Sequence, residues 1–342
     1  MSPTIRENYI RNASLQGHAW IPQTVAFSGA YWHEQREALE EIVLRHPALF
    51  PDARRGEIDY DRGIRDHQYH KVDAWGCEWI YPIPGLDGQV IGHPLADWDN
   101  LQTWQAPEPV VSDERLAALA ETRAKGELAT LGLEHGFLFM RSFYLRGFDN
   151  MMLDVAAQDP RLTKLIDIIA GHWERYVQPF VRAGLDLLVA GDDLGTQTAS
   201  ILGPRHFGRL LLPAYRRVFV PARMFGAHVY LHHDGYVMDI IDDVILSGVS
   251  IVNPQDLVNG IDNIARAIKG RVCIEIDIDR QSVMPFGSPA DVRDLVREEV
   301  LKLGSPQGGL SMICGVYPPT PLANVEALCS ALEEYRTYWV GR

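Results

Sequence analysis

Residues 227–236, AHVYLHHDGY, pass from an apolar run straight into His232, His233, Asp234 and Gly235. This is the pattern of a short buried strand that ends in a polar loop. In parallel α/β proteins the loops at the carboxyl ends of strands carry the chemistry, because the strands form a rigid frame on which the loops vary. His232 and Asp234 are two residues apart, so extended backbone places them on one side. An imidazole and a carboxylate so placed can hold a metal ion or move a proton. Asp-Gly after a strand is also an ordinary turn signal, so the pair gains meaning only from its surroundings.

The same pattern repeats on both sides. LDLLVAGDD (185–193), VSIVNPQD (249–256), VCIEIDID (272–279) and GLSMICG (309–315) are apolar runs, each closing on polar or small residues. Helical spacing of apolar residues falls between them, over 204–226, 236–247, 261–269, 289–303 and 322–338. Upstream, a helix over 113–132 precedes a strand FLFMRSF (137–143), and two further helices, 148–158 and 160–183, are separated at Pro160. The N-terminus reads as a helix over 4–16, a strand from about 21 and a helix over 32–50. Strands starting near 21, 76, 137, 185, 228, 249, 272 and 309 number eight, which predicts an α/β fold, a single (β/α)8 TIM barrel spanning 1–342 behind an N-terminal extension. Residues 51–110 break the alternation with Gly, Pro, Asp and Trp. They are expected to form a rim or lid insertion with a β-hairpin turned at Asp87-Gly88, and Trp75, Trp79 and Trp98 are expected in its core.

Composition narrows the function classes. Of 342 residues, 46% are hydrophobic and 23% charged, an ordinary globular balance, and the net charge is −13 without a basic block. Nucleic acid is therefore not an expected partner. The apolar runs are too short to span a bilayer and the N-terminus lacks the apolar core of a signal peptide, so a cytoplasmic location is expected. The 4 cysteines are scattered without a CxxC pair and read as reduced thiols. Neither a glycine-rich phosphate loop nor a GxSxG elbow is present.

The strand ends collect Asp192 and Asp193, His232 and Asp234, Asn253, Gln255 and Asp256, Glu275, Asp277 and Asp279, and Cys314 and Tyr317. Closing a barrel would aim all of them at one mouth. Asp and Asn also favour turns and helix caps, which accounts for such residues as Asp256 and Asp279.

Four segments carry a resemblance: GDDLGTQTASILGPRHFGRLLLPAYRRVF (191–219), HVYLHHDGYVMDIIDDVILSGVSIVNPQD, IDIDRQSVMPFGSPADVRDLVREEV and VYPPTPLANVEAL. In order and spacing they resemble the uroporphyrinogen decarboxylase superfamily, which includes cobalamin-dependent methyltransferases. The resemblance implies a (β/α)8 barrel. The Arg-Gln-Ala-Gly-Arg stretch of the decarboxylase proper is missing, so an octa-acid porphyrinogen would find few cations here. The methyltransferase branch uses a His-x-Cys and a later Cys on zinc. On this chain those positions fall on His232 and Cys314, with Asp234 in place of the first Cys.

The resemblance thus implies a metal-dependent methyltransferase working with a corrinoid protein. His232, Asp234 and Cys314 would be the metal ligands, for zinc or for a harder ion such as manganese or iron. Asp193, Gln197, Gln255 and Asp277 would orient the substrate, with Arg141, Tyr144 and Arg146 as neighbours. Two other readings stand beside it. One is a lyase or decarboxylase acting on a small acid, with His232 or Tyr317 as proton donor; the other is a barrel that binds a tetrapyrrole or corrinoid without turnover. The expected partners are a small-molecule substrate, a corrinoid protein and a second copy of the chain.

Overall fold

The computed structural model describes residues 3–65 and 67–342. Its strands in chain order are β1 (Gln23–Phe27), β2 (His70–Val72), β3 (Glu78–Ile80), β4 (Gln89–Gly92), β5 (Thr130–His135), β6 (Leu187–Gly191), β7 (His228–His233), β8 (Ile251–Pro254), β9 (Cys273–Asp277) and β10 (Leu310–Val316). Seven of them form one parallel sheet in the order β1-β10-β9-β8-β7-β6-β5. The strands from β6 onward are nearly all buried and largely apolar, as a sheet covered on both faces requires. The sheet curls: Ala26 of β1 and Leu133 of β5, at its two ends, line the same internal cavity.

Two sequence expectations are corrected. The eighth strand near residue 76 is not in this sheet, and among the described residues the sheet has seven strands. Residues 78–80 instead pair antiparallel with β2 and β4 in a separate three-stranded sheet. Glu-Trp-Ile is half exposed and has partners close in sequence, so local pairing satisfies it. FLFMRSF is not a strand either. Residues Phe139–Arg146 are helical, and the strand is TLGLEH at 130–135, inside the stretch expected as the end of a helix. That preceding helix stops at Ala124, and Gly126, at φ +77°, turns the chain. The cause of the second error is non-local. The buried carboxylate of Asp192 accepts hydrogen bonds from the backbone N–H groups of Leu138, Phe139 and Met140 at 3.0, 2.7 and 2.9 Å, capping the helix from the end of β6. Tyr215 donates to the same carboxylate at 2.7 Å.

The helices follow their apolar periodicity. Pro160–Arg182 starts on an Asp159 cap with Pro160 in the first turn, and turns Leu162, Leu165, Ile166 and Ile169 inward. Pro204–Met224 packs beside it with Phe207, Leu211, Tyr215 and Phe219 buried.

The amino end of the curled sheet is closed by the first helix, Ile5–Ala13, where Ala13 and Tyr9 pack against Leu187, Tyr230, Ile251 and Cys273. Asn12 bridges to β10, donating to Ser311 Oγ at 3.1 Å and accepting from Gly309 N at 3.0 Å. Arg6 forms a two-pronged ion pair with buried Asp186 at 2.8 Å on both arms. Among the described residues no helix is long and apolar enough to cross a membrane.

Candidate functional site

The carboxyl ends of the strands open into two adjoining cavities. The deeper, about 310 Å³, has mostly apolar walls from Ala26, Leu133, Val189 and Ile313, below a polar ring of His135, His232, Asn253, Asp277 and Arg280. The outer, about 630 Å³, shares His135, His232, Arg280 and Tyr317 with it. Asp193, Asp234, Tyr144 and Met140 add to the outer wall, with Trp79, Tyr81, Asp87 and Gly88 from the antiparallel sheet and its β3–β4 turn.

Alternation along β7 decides which histidine faces inward. His232 lies on the cavity side with Tyr230, whereas His233 is fully buried on the other face, where burial pulls its pKa down to about 3 and keeps it neutral. The turn that follows depends on glycine. Gly235 has φ +82°, and a Cβ there would fall 2.2 Å from the carbonyl carbon of Gly195.

The hydrogen bonds fix the tautomer of His232. Asn253 Nδ2 donates to the Glu275 carbonyl at 2.6 Å, so its Oδ1 is the atom facing His232 Nδ1, also at 2.6 Å. An amide oxygen only accepts, so Nδ1 carries the proton and Nε2 presents a lone pair when the ring is neutral. Nε2 faces Asp234 Oδ1 at 3.4 Å and Asp193 Oδ1 at 3.9 Å. A lone pair opposed by two carboxylates is repulsive unless a proton or a metal cation sits between them. Burial lowers the His232 pKa, but hydrogen bonding and charge attraction from Asp234 outweigh it, and the net shift is upward. Asp234 moves the other way: burial raises its pKa, and His232 and Arg280 together bring it below the usual carboxylate value.

Each acidic group is braced. Asp234 Oδ1 accepts from Arg280 Nη2 at 2.7 Å and from Gln255 Nε2 at 2.8 Å. Gln255 is itself held, accepting from Gly235 N at 2.9 Å. Arg280 Nη1 reaches Asp277 Oδ2 at 3.1 Å, and its guanidinium lies 5.9 Å from the Tyr317 ring centre. Burial, partly offset by Arg280, raises the Asp277 pKa to about 6. His135 sits 3.3 Å from Asp193 Oδ2, a contact that raises its pKa, and its ring centre is 5.7 Å from that of His232.

The expected metal set is therefore only partly assembled. His232 and Asp234 come together, and the third group able to join them on an ion is Asp193, with one donor atom from each residue within 4.8 Å of the others. Cys314 is not part of this group. In β10, Ile313 and Gly315 face the cavity, so the intervening Cys314 points to the opposite side, where it is fully buried and its pKa is raised by that burial. Two expected substrate residues also lie elsewhere. Gln197 is exposed in the 196–199 turn, and Arg146 is committed to Asp154 at 2.8 Å and to the Leu95 carbonyl. Arg141 pairs with Asp73 and Glu134, tying its helix to the antiparallel sheet.

Sequence reasoning missed His135 and Arg280. TLGLEHG ends on polar residues and a glycine just as YLHHDG does, a signal hidden by placing the strand one segment too late. Arg280 directly follows the β9 carboxylates, a position from which its side chain can reach back over them.

Behind the loops is a second acidic group. Glu299 is fully buried beside Asp256, and among the described residues neither of its oxygens has a hydrogen-bond donor. Burial raises both pKa values, that of Asp256 to about 7.

Comparison with known proteins agrees with this architecture. The sequence is similar to a protein of Methanosarcina acetivorans named methylcobamide:CoM methyltransferase MtbA, 24% identical over 321 residues that cover 90% of this chain and 88% of that protein. The protein of the same name from Methanosarcina mazei matches with the same identity and coverage. The solved structure of a methyltransferase from Methanosarcina mazei shares the fold, with a TM-score of 0.64 and 20% identity over 98% of this chain and 99% of that one. The family model described as uroporphyrinogen decarboxylase (URO-D) matches residues 72–335, and this chain belongs to that family.

Proposed function

We propose that the protein is a methyltransferase that moves a methyl group between a small methylated substrate and a corrinoid carried by a partner protein. The observation that carries this reading is the cluster of Asp193, His232 and Asp234 at one cavity mouth, in a chain whose relatives are named methylcobamide:CoM methyltransferases.

Methyl transfer by in-line displacement needs little proton movement and much positioning. The bracing described above suits that task. Asn253 holds the His232 ring, Gln255 and Arg280 hold Asp234, and Asp277 anchors Arg280 from below. Tyr144 and Tyr317 form walls against which a substrate can be oriented.

The donor set fits a divalent cation, because His232 Nε2 lies 3.4 Å from Asp234 Oδ1 and 3.9 Å from Asp193 Oδ1, one donor atom from each residue within reach of a single ion. Asp193, His232 and Asp234 would hold it, and an imidazole with two carboxylates accommodates zinc, manganese or iron. Such an ion supplies a Lewis acid that polarises the substrate heteroatom. The Asn253 contact is the outer hydrogen bond that metal-binding histidines ordinarily make.

The test is to measure the metal content of purified protein and to follow methylation of cob(I)alamin by a panel of small methylated compounds. Bound metal at one equivalent, with transfer abolished in His232→Ala, is the expected result. Absence of both bound metal and methyl transfer would overturn the reading, and release of carbon dioxide from a small acid without any corrinoid would replace it with a carboxy-lyase.

A further inference from the structure

Below its polar ring the deep cavity is a space that the fold leaves unfilled. An α/β barrel ordinarily packs its interior with layers of bulky branched side chains. Here Ala26, Gly191 and Gly315 are small, and Leu133, Val189 and Ile313 line a gap of about 310 Å³ without filling it. β5 brings Leu133 inward at an irregularity in its pairing with β6, between Gly132 and His135. Ala26 is exposed and Leu133, Val189 and Ile313 are half-buried, whereas Val25, Leu188 and Met312, which alternate to the outer face, are buried.

The chemistry of these walls says what belongs between them. Ala26, Leu133, Val189 and Ile313 carry neither a charge nor a hydrogen-bonding group, and Asn253 and Arg280 above them are engaged with His232, the Glu275 carbonyl and Asp234. Apolar side chains held open to water are unfavourable, and an apolar ligand relieves that cost. Size agrees: an apolar cavity of about 150 Å³ takes up benzene, and this one has about twice that volume. The floor is shut, because Tyr230 lines the cavity and also belongs to the plug with Tyr9 and Ala13. A corrinoid carried by a partner protein therefore reaches this space from the outer cavity.

From this we infer that the part of the substrate left behind when the methyl group departs is an uncharged apolar body about the size of an aromatic ring, seated in the deep cavity with the methyl group facing the outer one. This rests on the methyltransferase reading and deepens it. In-line displacement puts cobalt, methyl carbon and heteroatom on one line. Cobalt comes from the mouth, so the remainder of the substrate points to the floor. The electron pair of cob(I)alamin forms the new cobalt–carbon bond, and the bond from methyl carbon to heteroatom breaks with its pair staying on the heteroatom, which remains bonded to the apolar body. His232, which lines both cavities, stands at the boundary where that bond breaks.

The experiment uses the full-length chain and three uncharged methyl thioethers: 1-(methylthio)butane, 3-(methylthio)propan-1-ol, which has a hydroxyl in place of the terminal methyl, and methyl phenyl sulfide. Binding is measured by calorimetry, with and without one equivalent of zinc. The butane compound is expected to bind about tenfold more tightly than the alcohol, methyl phenyl sulfide at least as tightly as the butane compound, and both with a negative heat-capacity change. Ala26→Leu, which fills the gap, should weaken methyl phenyl sulfide about tenfold or more while leaving the zinc bound per chain unchanged. Val189→Thr keeps the shape and adds a hydroxyl to the wall, and should cut the preference for butane over alcohol about threefold. Equal or tighter binding of the alcohol, or a preference and a sulfide affinity untouched by both substitutions, would overturn the assignment. Because the readout is binding, a failure to methylate cob(I)alamin would count against the methyltransferase reading alone, and a wrong binding order against the apolar body alone.

Discussion

The two ends of the curled sheet are built from the same strands and treat polar groups in opposite ways. At the amino end, Asn12, Ser311, Arg6 and Asp186 satisfy one another, and Tyr9 and Ala13 complete an apolar plug. At the carboxyl end, two carboxylates crowd His232 Nε2 at 3.4 and 3.9 Å, the Arg280 contact to Asp277 Oδ2 is not a well-aligned hydrogen bond, and among the described residues the Glu299 oxygens have no donor. Polar groups that pair off contribute to stability; polar groups left facing each other store unfavourable energy that a ligand can release. The difference marks one end as structural and the other as the place of chemistry.

Four predictions test that division. The largest effect belongs to His232→Ala, which should reduce methyl transfer by about a hundredfold or more and abolish tight metal binding, with a small change in Tm. Transfer at the normal rate in that variant would break the comparison. Next is Asn253→Ala, which frees the His232 tautomer and should cost about tenfold or more in metal affinity, read by competition with a chelator. At the opposite end, Arg6→Ala leaves buried Asp186 short of its two-pronged partner and should lower unfolding free energy by about 2 kcal/mol in urea titrations, with transfer per folded molecule unchanged. The smallest effect on activity is expected from Cys314→Ala. It removes a thiol that points away from the cavity and should leave metal content and transfer intact, at a stability cost of about 1 kcal/mol. Loss of metal in that variant would return Cys314 to the ligand set.

The acid pair gives the same comparison a pH axis. Asp256 and Glu299 have pKa values raised in the folded state, so the native protein binds more protons than the unfolded chain across the interval from the ordinary carboxyl value, about 4, to at least the Asp256 value of about 7. Their contribution to stability is fully present below that interval and is lost as pH rises through it. Glu299→Gln keeps the shape and removes the charge. Denaturant midpoints measured across that range should fall less steeply with pH in the variant than in the parent.

Much of this was legible in the sequence. Apolar strands that end in polar residues located β6 to β10, and helix periods with Asp, Ser and Pro at their starts located the longer helices, because those signals are local. The parts that could not be read depend on distant partners. Residues 137–143 have the composition of a strand, but the Asp192 carboxylate, about fifty residues later in the chain, makes them the start of a helix. Misplacing that strand hid His135. The inward direction of Ile313 and Gly315, and hence the outward direction of Cys314, is set by register against β9, which pairs Ile313 with Asp277, and no spacing within GLSMICG reveals it.

The seam of the sheet has a dynamic consequence. Among the described residues β1 has only β10 as a neighbour and β5 has only β6, so each presents a row of amides without a ladder partner from the other. Hydrogen–deuterium exchange should therefore run as a gradient around the wall, fastest at 23–27 and 130–135 and slowest at 251–254 in the middle of the order. The cavity would then breathe at one side only, opening at the gap between its two outermost strands.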